Sequence, residues 1–383
     1  MTWGDEHMGP LAGIRIIELA GIGPGPMAAM LLADMGATVL RIERKEPADL
    51  GVKRELKYNL LLRSRRSIAL DLKDPRAVAL VLRLLRKADG LIEGFRPGVT
   101  ERLGLGPQAC LAENPRLVYG RITGWGQDGP LAQVAGHDIN YIAVTGVLDA
   151  IGRAGQPPTP PLALVGDFGG GGPYLALGML AAIIEARQSG LGQVVDAAVM
   201  DGVASMATAF FGLAASGAWQ PQRGSNILDS GAPFYDVYAC ADGLWLSVGP
   251  IERRFHELLL RQLGLDDNAI RELGDHQDRT TWPRLRTLLA GVFAQRRRDE
   301  WCERLAHLDV CVAPVQTLRD AATHPQVQAR GTLLDVDGIT QPAPAPRFSR
   351  TPNARPTAPT PPDAEALRDW LDPQDFEAYG KAL

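Results

Sequence analysis

Residues 14–43 read IRIIELAGIGPGPMAAMLLADMGATVLRIE. The apolar run 14–19 predicts a buried strand, 21–26 (GIGPGP) a tight loop, and 27–35 an apolar helix ended by Gly36. Residues 38–43 (TVLRIE) predict the next strand, so the stretch forms a β-α-β unit. A second unit follows. It has a strand over 68–72 (IALDL), Asp74 as helix cap with Pro75 at the first helical position, a helix to about Ala88 and a strand over 91–93. Strand 117–123 (LVYGRIT) continues the alternation, which argues an α/β domain around a largely parallel sheet.

The pattern changes after residue 170. Residues 172–190 (GPYLALGMLAAIIEARQSG) predict a helix between glycines, followed by a short strand at 194–196 and a small-residue helix over 197–218. Residues 233–249 (PFYDVYACADGLWLSVG) predict a hairpin turning at Asp242-Gly243. Helical periodicity resumes at 252–263, 282–294 and 299–308, which indicates a smaller second domain. Eight of the 21 residues from 342 to 362 are Pro, an extended connector, and 363–379 carries one further helical pattern.

Composition narrows the function classes. Of 383 residues, 42 are Gly and 29 are Pro, but 45% are hydrophobic and no Gly-X-Y period exists, so the chain is neither disordered nor collagenous. A net charge of −4 and a pI near 5.9 leave no global basic field for nucleic acid. Cys110, Cys240, Cys302 and Cys311 include no C-x-x-C pair, so buried free thiols are expected, with no disulfide framework and no metal. The N-terminal MTWGDEHMGP lacks the apolar run of a secretory signal. The apolar stretches 174–184 and 206–219 are shorter than the roughly 20 residues of a membrane span. A cytoplasmic enzyme with no membrane partner is the expectation.

Gly21-Ile22-Gly23-Pro24-Gly25-Pro26, with Glu43 ending the next strand, approaches a dinucleotide fingerprint. It fails because Pro26 occupies the third glycine position, and Pro24 and Pro26 remove two N–H donors. A rigid turn is the better reading. Residues 41–73 hold ten Lys or Arg against five acids, an excess that suits a phosphorylated small ligand. His137, in AGHDINY, follows a Gly-rich loop at a helix start. Asp167, in LVGDF, reads as a helix N-cap before Gly169–Gly172, whose bare backbone would admit a bulky ligand. Most of the six histidines lie in helical, charged surroundings where a surface role suffices. Together His137 and Asp167 offer two proton-transfer groups of different type.

The segments ELAGIGPGP, LRSRRSIALDLK, IEGFRPGVTERLGLGP, ITGWGQDGP, GHDINY and GDFGGG occur here in the order seen in α-methylacyl-CoA racemases, which belong to the family III CoA-transferase superfamily. The resemblance spans Gly9 to the APRFSR stretch at 345–350. It implies an α/β fold with a Rossmann-like large domain plus a smaller α+β domain, assembled as an interlocked homodimer. On that pattern the large domain begins with 1–197. A linker helix region at 198–232, the small domain at 233–322, a linker at 323–341 and a segment returning to the large domain at 342–383 complete it. No NAD is implied. CoA enters as part of the substrate rather than as a cofactor.

Carried over by resemblance, the CoA contacts are Arg44, Leu70, Asp71, Leu72, Lys73, Gly94, Phe95, Arg96 and Arg102. Gly136, Asp138, Ile139, Asn140 and Tyr141 would line the thioester end. His137 and Asp167 would be the two bases, with Glu252, from the other subunit, supporting His137. The motif around Glu252 departs from the family pattern, and 264–281 departs most. The implied reaction is racemisation of a 2-methylacyl-CoA through an enolate, the two groups exchanging acid and base roles. That requires Asp167 to carry a proton in one state, hence a raised pKa. The superfamily alternative is CoA transfer through an Asp167 acyl anhydride. Its transferases resemble the chain at the Asp but lack the His.

Overall fold

The computed structural model describes residues 9–46 and 51–380. The first eight residues of the N-terminal decapeptide and Asp49 of the basic stretch lie outside the described residues. The chain forms two compact units. The first holds residues up to 145, 162–207 and 325 onward; the second holds 146–161 and 208–324.

In the first unit, β1 (Arg15–Leu19), β2 (Thr38–Arg44), β3 (Arg66–Leu70), β4 (Gly90–Glu93), β5 (Val118–Thr123) and β6 (Val194–Ala198) pair in the order 3-2-1-4-5-6, all parallel. This is the doubly wound order, whose strand sequence reverses between β1 and β4. Its helices include α1 (Pro24–Asp34), α2 (Pro75–Leu85), α3 (Asp138–Val144), α4 (Gly172–Ser189) and α5 (Val199–Met206). Asp74 caps α2, accepting from the Arg76 N–H at 2.9 Å, as expected. One face of the sheet buries Leu80, Val81, Leu84 and Leu85 of α2 together with Leu367 and Trp370 of the C-terminal segment. Each fully buried side chain of this size contributes roughly 1.5–3 kcal/mol.

Over the other face runs α4, whose Leu175 and Met179 are fully buried. A Cβ at Gly90 or Gly120 would come within 2.5 Å of Met179, so glycines on β4 and β5 admit that side chain. With the π-helical turn Gly166–Gly171 before it, α4 makes a run of 24 residues, long and apolar enough to cross a membrane by length and composition. That run is longer than the 174–184 stretch legible in the sequence, because glycines continue it backwards. Its Leu175, Met179, Ile183 and Ala186 are core residues of this unit.

The second unit is α+β. Strands β7 (Asp236–Ala239), β8 (Trp245–Val248) and β9 (Val312–Pro314) form an antiparallel sheet. Helices Arg253–Gln262, Asp267–Leu273, Trp282–Phe293 and Arg298–Leu305 belong to the same unit, and its core centres on Phe234, Leu259, Leu289 and Phe293. His256 and His276 are buried rather than on the surface, their rings stacked at 4.8 Å. Burial first, then the neighbouring His276, pushes His256 down to about 4.

Other expectations shift in detail. Helix α1 begins at Pro24 rather than 27, because a first turn needs no N–H from its prolines. β3 ends at Leu70, two residues earlier than read. The single helix expected over 197–218 is two, Val199–Met206 and Thr208–Ala215, and the boundary between units falls between them. Residues 146–161 pack with the second unit. The expected linker 323–341 contains a hairpin of the first unit, Leu333–Val336 against Ile339–Pro342. The Pro-rich segment stays within the first unit, where the Asp363 N–H donates to the Ser67 carbonyl at 2.8 Å beside β3. Cys110 and Cys240 are buried thiols, whereas Cys311 is exposed.

Candidate active site

The strand-order reversal leaves a crevice at the carboxyl ends of β1 and β4, and the loops after β1, β4 and β5 converge there. A cavity of about 360 Å³ opens at this point. Ile22 and Pro24 come from the first loop, Gly94, Phe95 and Arg96 from the second, and Gly124 and Trp125 from the third. Gly136, His137 and Tyr141 enter from the start of α3, and Asp167 from the π-helical turn.

His137 is the cap residue of α3 and is exposed; its N–H donates to Asn140 Oδ1 at 3.0 Å. Tyr141 packs edge-on against Trp125, ring centroids 4.8 Å apart, and its hydroxyl donates to the Gly136 carbonyl. That ring occupies the place a Cβ at Gly124 would take, 1.9 Å away. Burial, with Asp167 and Asp138 nearby, pushes the Tyr141 hydroxyl up to about 12, so it remains a neutral donor.

Asp167 is not an N-cap. It lies inside the π-helical turn, where the Gly170 N–H donates to the Val165 carbonyl at 2.9 Å. π-Bulges of this kind collect at functional sites because they re-aim a side chain. Burial pushes the Asp167 carboxyl up to about 6; the Asp138 charge adds to the rise and His137 opposes it. Glycines 169–172 do not open a ligand path. A Cβ at Gly170 would lie 2.6 Å from the Val203 nitrogen, and at Gly171 2.7 Å from Pro24 Cβ, so these glycines let the turn pack on α5 and α1. Gly23 is the glycine that meets the carboxylate.

A second cavity, about 700 Å³, lies beside the ends of β2 and β3, lined by Arg44, Leu70, Asp71, Leu72 and Lys73. Phe95 lines both cavities, and the Arg44 guanidinium sits 5.8 Å over its ring. The Phe95 turn is fixed from below. Its N–H donates to Glu93 Oε2 at 2.7 Å, while Glu93 Oε1 accepts from Arg121 Nε at 2.7 Å. Burial raises the Glu93 carboxyl, opposed by the Phe95 N–H and Arg121.

The structure does not gather every expected residue. Arg102 ends the helix Val99–Arg102 and lines neither cavity; Ile139 points to solvent, and Asp138 is buried behind the wall. Glu252 precedes the helix Arg253–Gln262 in the second unit, exposed and near Cys311. Three arginines of the basic stretch turn inward. Arg63 grips Asp34 through Nε and Nη2, while Arg41 and Arg65 share Glu18, so the phosphate-suited charge is smaller than the count implied. Trp125 was missed; its signal was an aromatic at the exit of a predicted strand. Among the described residues no group of three or more His, Cys, Asp or Glu could hold a metal ion.

The sequence profile described as CoA-transferase family III matches residues 11–365. A Mus musculus protein named alpha-methylacyl-CoA racemase is 44% identical over 366 residues, covering 94% of this chain and 93% of its own. Its Homo sapiens namesake is 42% identical, covering 89% and 87%. The crystal structure of a CAIB/BAIF family protein from Brucella suis superposes with a TM-score of 0.81 at 27% identity, over 95% of this chain and all of that one.

Proposed function

The chain belongs to CoA-transferase family III, and we propose that its reaction is the racemisation of 2-methylacyl-CoA thioesters, with His137 and Asp167 as the two acid/base groups. The observation that carries this reading is the joint presence of His137 and a proton-retaining Asp167 on one cavity wall. One base removes the hydrogen at C2, giving an enolate. The other, already protonated, returns a proton to the opposite face. A carboxyl group that titrates near 6 can serve as acid in one direction and base in the other at neutral pH.

The enolate oxygen needs donors set beforehand. Asp138 occupies the first position of α3, where its N–H has no acceptor within the helix, and we assign it that role. The CoA moiety would lie along the second cavity, its phosphates against Arg44 and Lys73 and its pantetheine arm passing Phe95. Arg96 would position the ligand at the first. The assembly is an interlocked homodimer in which Glu252 of one protomer supports His137 of the other. Exposed Leu177 and Ile184 on α4 of the first unit, and Phe211 in the second, support a covering partner.

In D₂O, either epimer of a 2-methylacyl-CoA should exchange its C2 hydrogen while racemising. Racemisation without deuterium uptake would sink the two-base scheme. The family's transferases offer the second reading, attack by Asp167 on the thioester. Acyl-CoA with hydroxylamine separates the two, since only an anhydride at Asp167 leads to inactivation over time.

A further inference from the structure

Asp138 has a side chain that the reaction described above leaves without a task. It is 7% exposed. Its Oδ1 accepts the Asp167 backbone N–H at 2.6 Å, joining α3 to the π-helical turn. Its Oδ2 is buried and has no hydrogen-bond partner in the protein. Gly166 makes the approach feasible, since a Cβ there would stand 2.2 Å from Asp138 Oδ1. A buried carboxylate oxygen without a donor is costly, and natural folds rarely keep one without a use. An amide would satisfy the Asp167 N–H equally well, so anchoring alone does not explain a charge at this position.

We propose that Asp138 is the positioning residue for Asp167, anchoring its backbone through Oδ1 and setting a negative charge against its carboxyl group. The proposal rests on the racemase reading only for its catalytic consequence. Among the described residues, the titratable groups facing Asp167 come from the start of α3. They are His137, which favours the carboxylate, Asp138, which opposes it, and Tyr141, whose hydroxyl itself feels Asp167. Arg96, after β4, acts on Tyr141. The loop after β1 brings Gly23, without charge, and α5 meets the turn through Val199, Val203 and Met206, its Asp201 acting on Asp196 instead. Asp138 is thus the one acid on these elements whose charge raises Asp167.

The test compares wild type with Asp138→Asn, which keeps the Oδ1 acceptor and removes the charge. The Asp167 carboxyl is titrated by NMR in protein labelled with ¹³C at aspartate Cγ, the signal assigned with Asp167→Asn. The wild-type midpoint should lie near 6, and in Asp138→Asn it should fall toward the ordinary carboxylate range. A midpoint that stays in place overturns the proposal. This readout needs no substrate, so it can fail while the racemase reading stands, or succeed while that reading falls. In turnover, Asp138→Asn should move the pH profile to lower pH with KM for acyl-CoA little changed. Should Asp138→Asn not fold, Gly166→Ala displaces the Asp138 carboxylate while keeping its charge. It should shift the same midpoint and lower kcat by about 10²-fold, the usual consequence of a misplacement near 1 Å. An unchanged Asp167 midpoint in Gly166→Ala overturns the proposal equally.

Discussion

Gly23 and Asp167 stand so close that a methyl group on Gly23 would lie 2.7 Å from Asp167 Oδ2. Gly23 also holds φ +67° and ψ −123°, a conformation side chains resist. One residue therefore serves as turn, helix entry and wall of the acid/base site. Gly23→Ala should cost about 1–3 kcal/mol of stability through its backbone. It should also lower kcat by about 10²-fold by moving the carboxylate. A thermal melt and a racemisation assay check both; a variant that is less stable but fully active would separate Gly23 from the site.

His137→Ala should lose about 10²–10⁴-fold in activity, the range for a general acid or base. The loss should appear in racemisation from both epimers, because each turnover uses both groups, while C2 exchange should persist for the epimer that Asp167 deprotonates. Full activity in the variant would remove His137 from the reaction.

In either direction the His137 and Asp167 pair must hold one proton, so that one group is base while the other is acid. The equilibrium constant of a racemisation does not vary with pH, so kcat/KM from the two epimers must follow one and the same profile. Both should fall as pH drops below about 6, where Asp167 takes up its proton and the pair ends with no base. Initial rates at low substrate from each pure epimer between pH 5 and 9 read this directly, and a rate that holds unchanged down to pH 5 would contradict it.

The same shift bears on stability. The folded state holds the Asp167 proton more tightly than the unfolded chain does, so stability from this group is fully present below about pH 4. It is lost as pH rises toward 6 and beyond. Asp167→Asn, neutral at every pH, should therefore raise Tm at pH 8 and change it little at pH 4. A variant that melts lower than wild type at pH 8 would count against a desolvated carboxylate.

Glu93 is wholly buried between the Arg121 guanidinium and the Phe95 N–H. Glu93→Ala would leave Arg121 without one buried partner and free the turn that lines both cavities. The expected cost is about 3–5 kcal/mol, measured by urea unfolding. Arg44→Ala, by contrast, should leave stability alone and raise KM for acyl-CoA about 10-fold, the worth of one charge-assisted hydrogen bond.

Much of this protein was legible from local rules. The β-α-β alternation, the Asp74-Pro75 helix start and the turn at Asp242-Gly243 follow from side-chain periodicity and backbone sterics, which act over a few residues. The failure of the dinucleotide fingerprint followed from Pro24 and Pro26, and motif order alone pointed to His137 and Asp167. Other features depend on partners distant in the chain. Arg63 and Arg65 read as ligand-facing charge but close on Asp34 and Glu18, 29 and 47 residues away. Glycines 169–172 read as an opening for substrate, yet they admit α5 and α1. Asp138 read as a residue lining the thioester end, yet its side chain meets the Asp167 N–H, because the π-helical turn reaches α3. Periodicity and sterics decide which elements form; burial decides what a charge or a missing Cβ is for, and burial exists only once those elements pack.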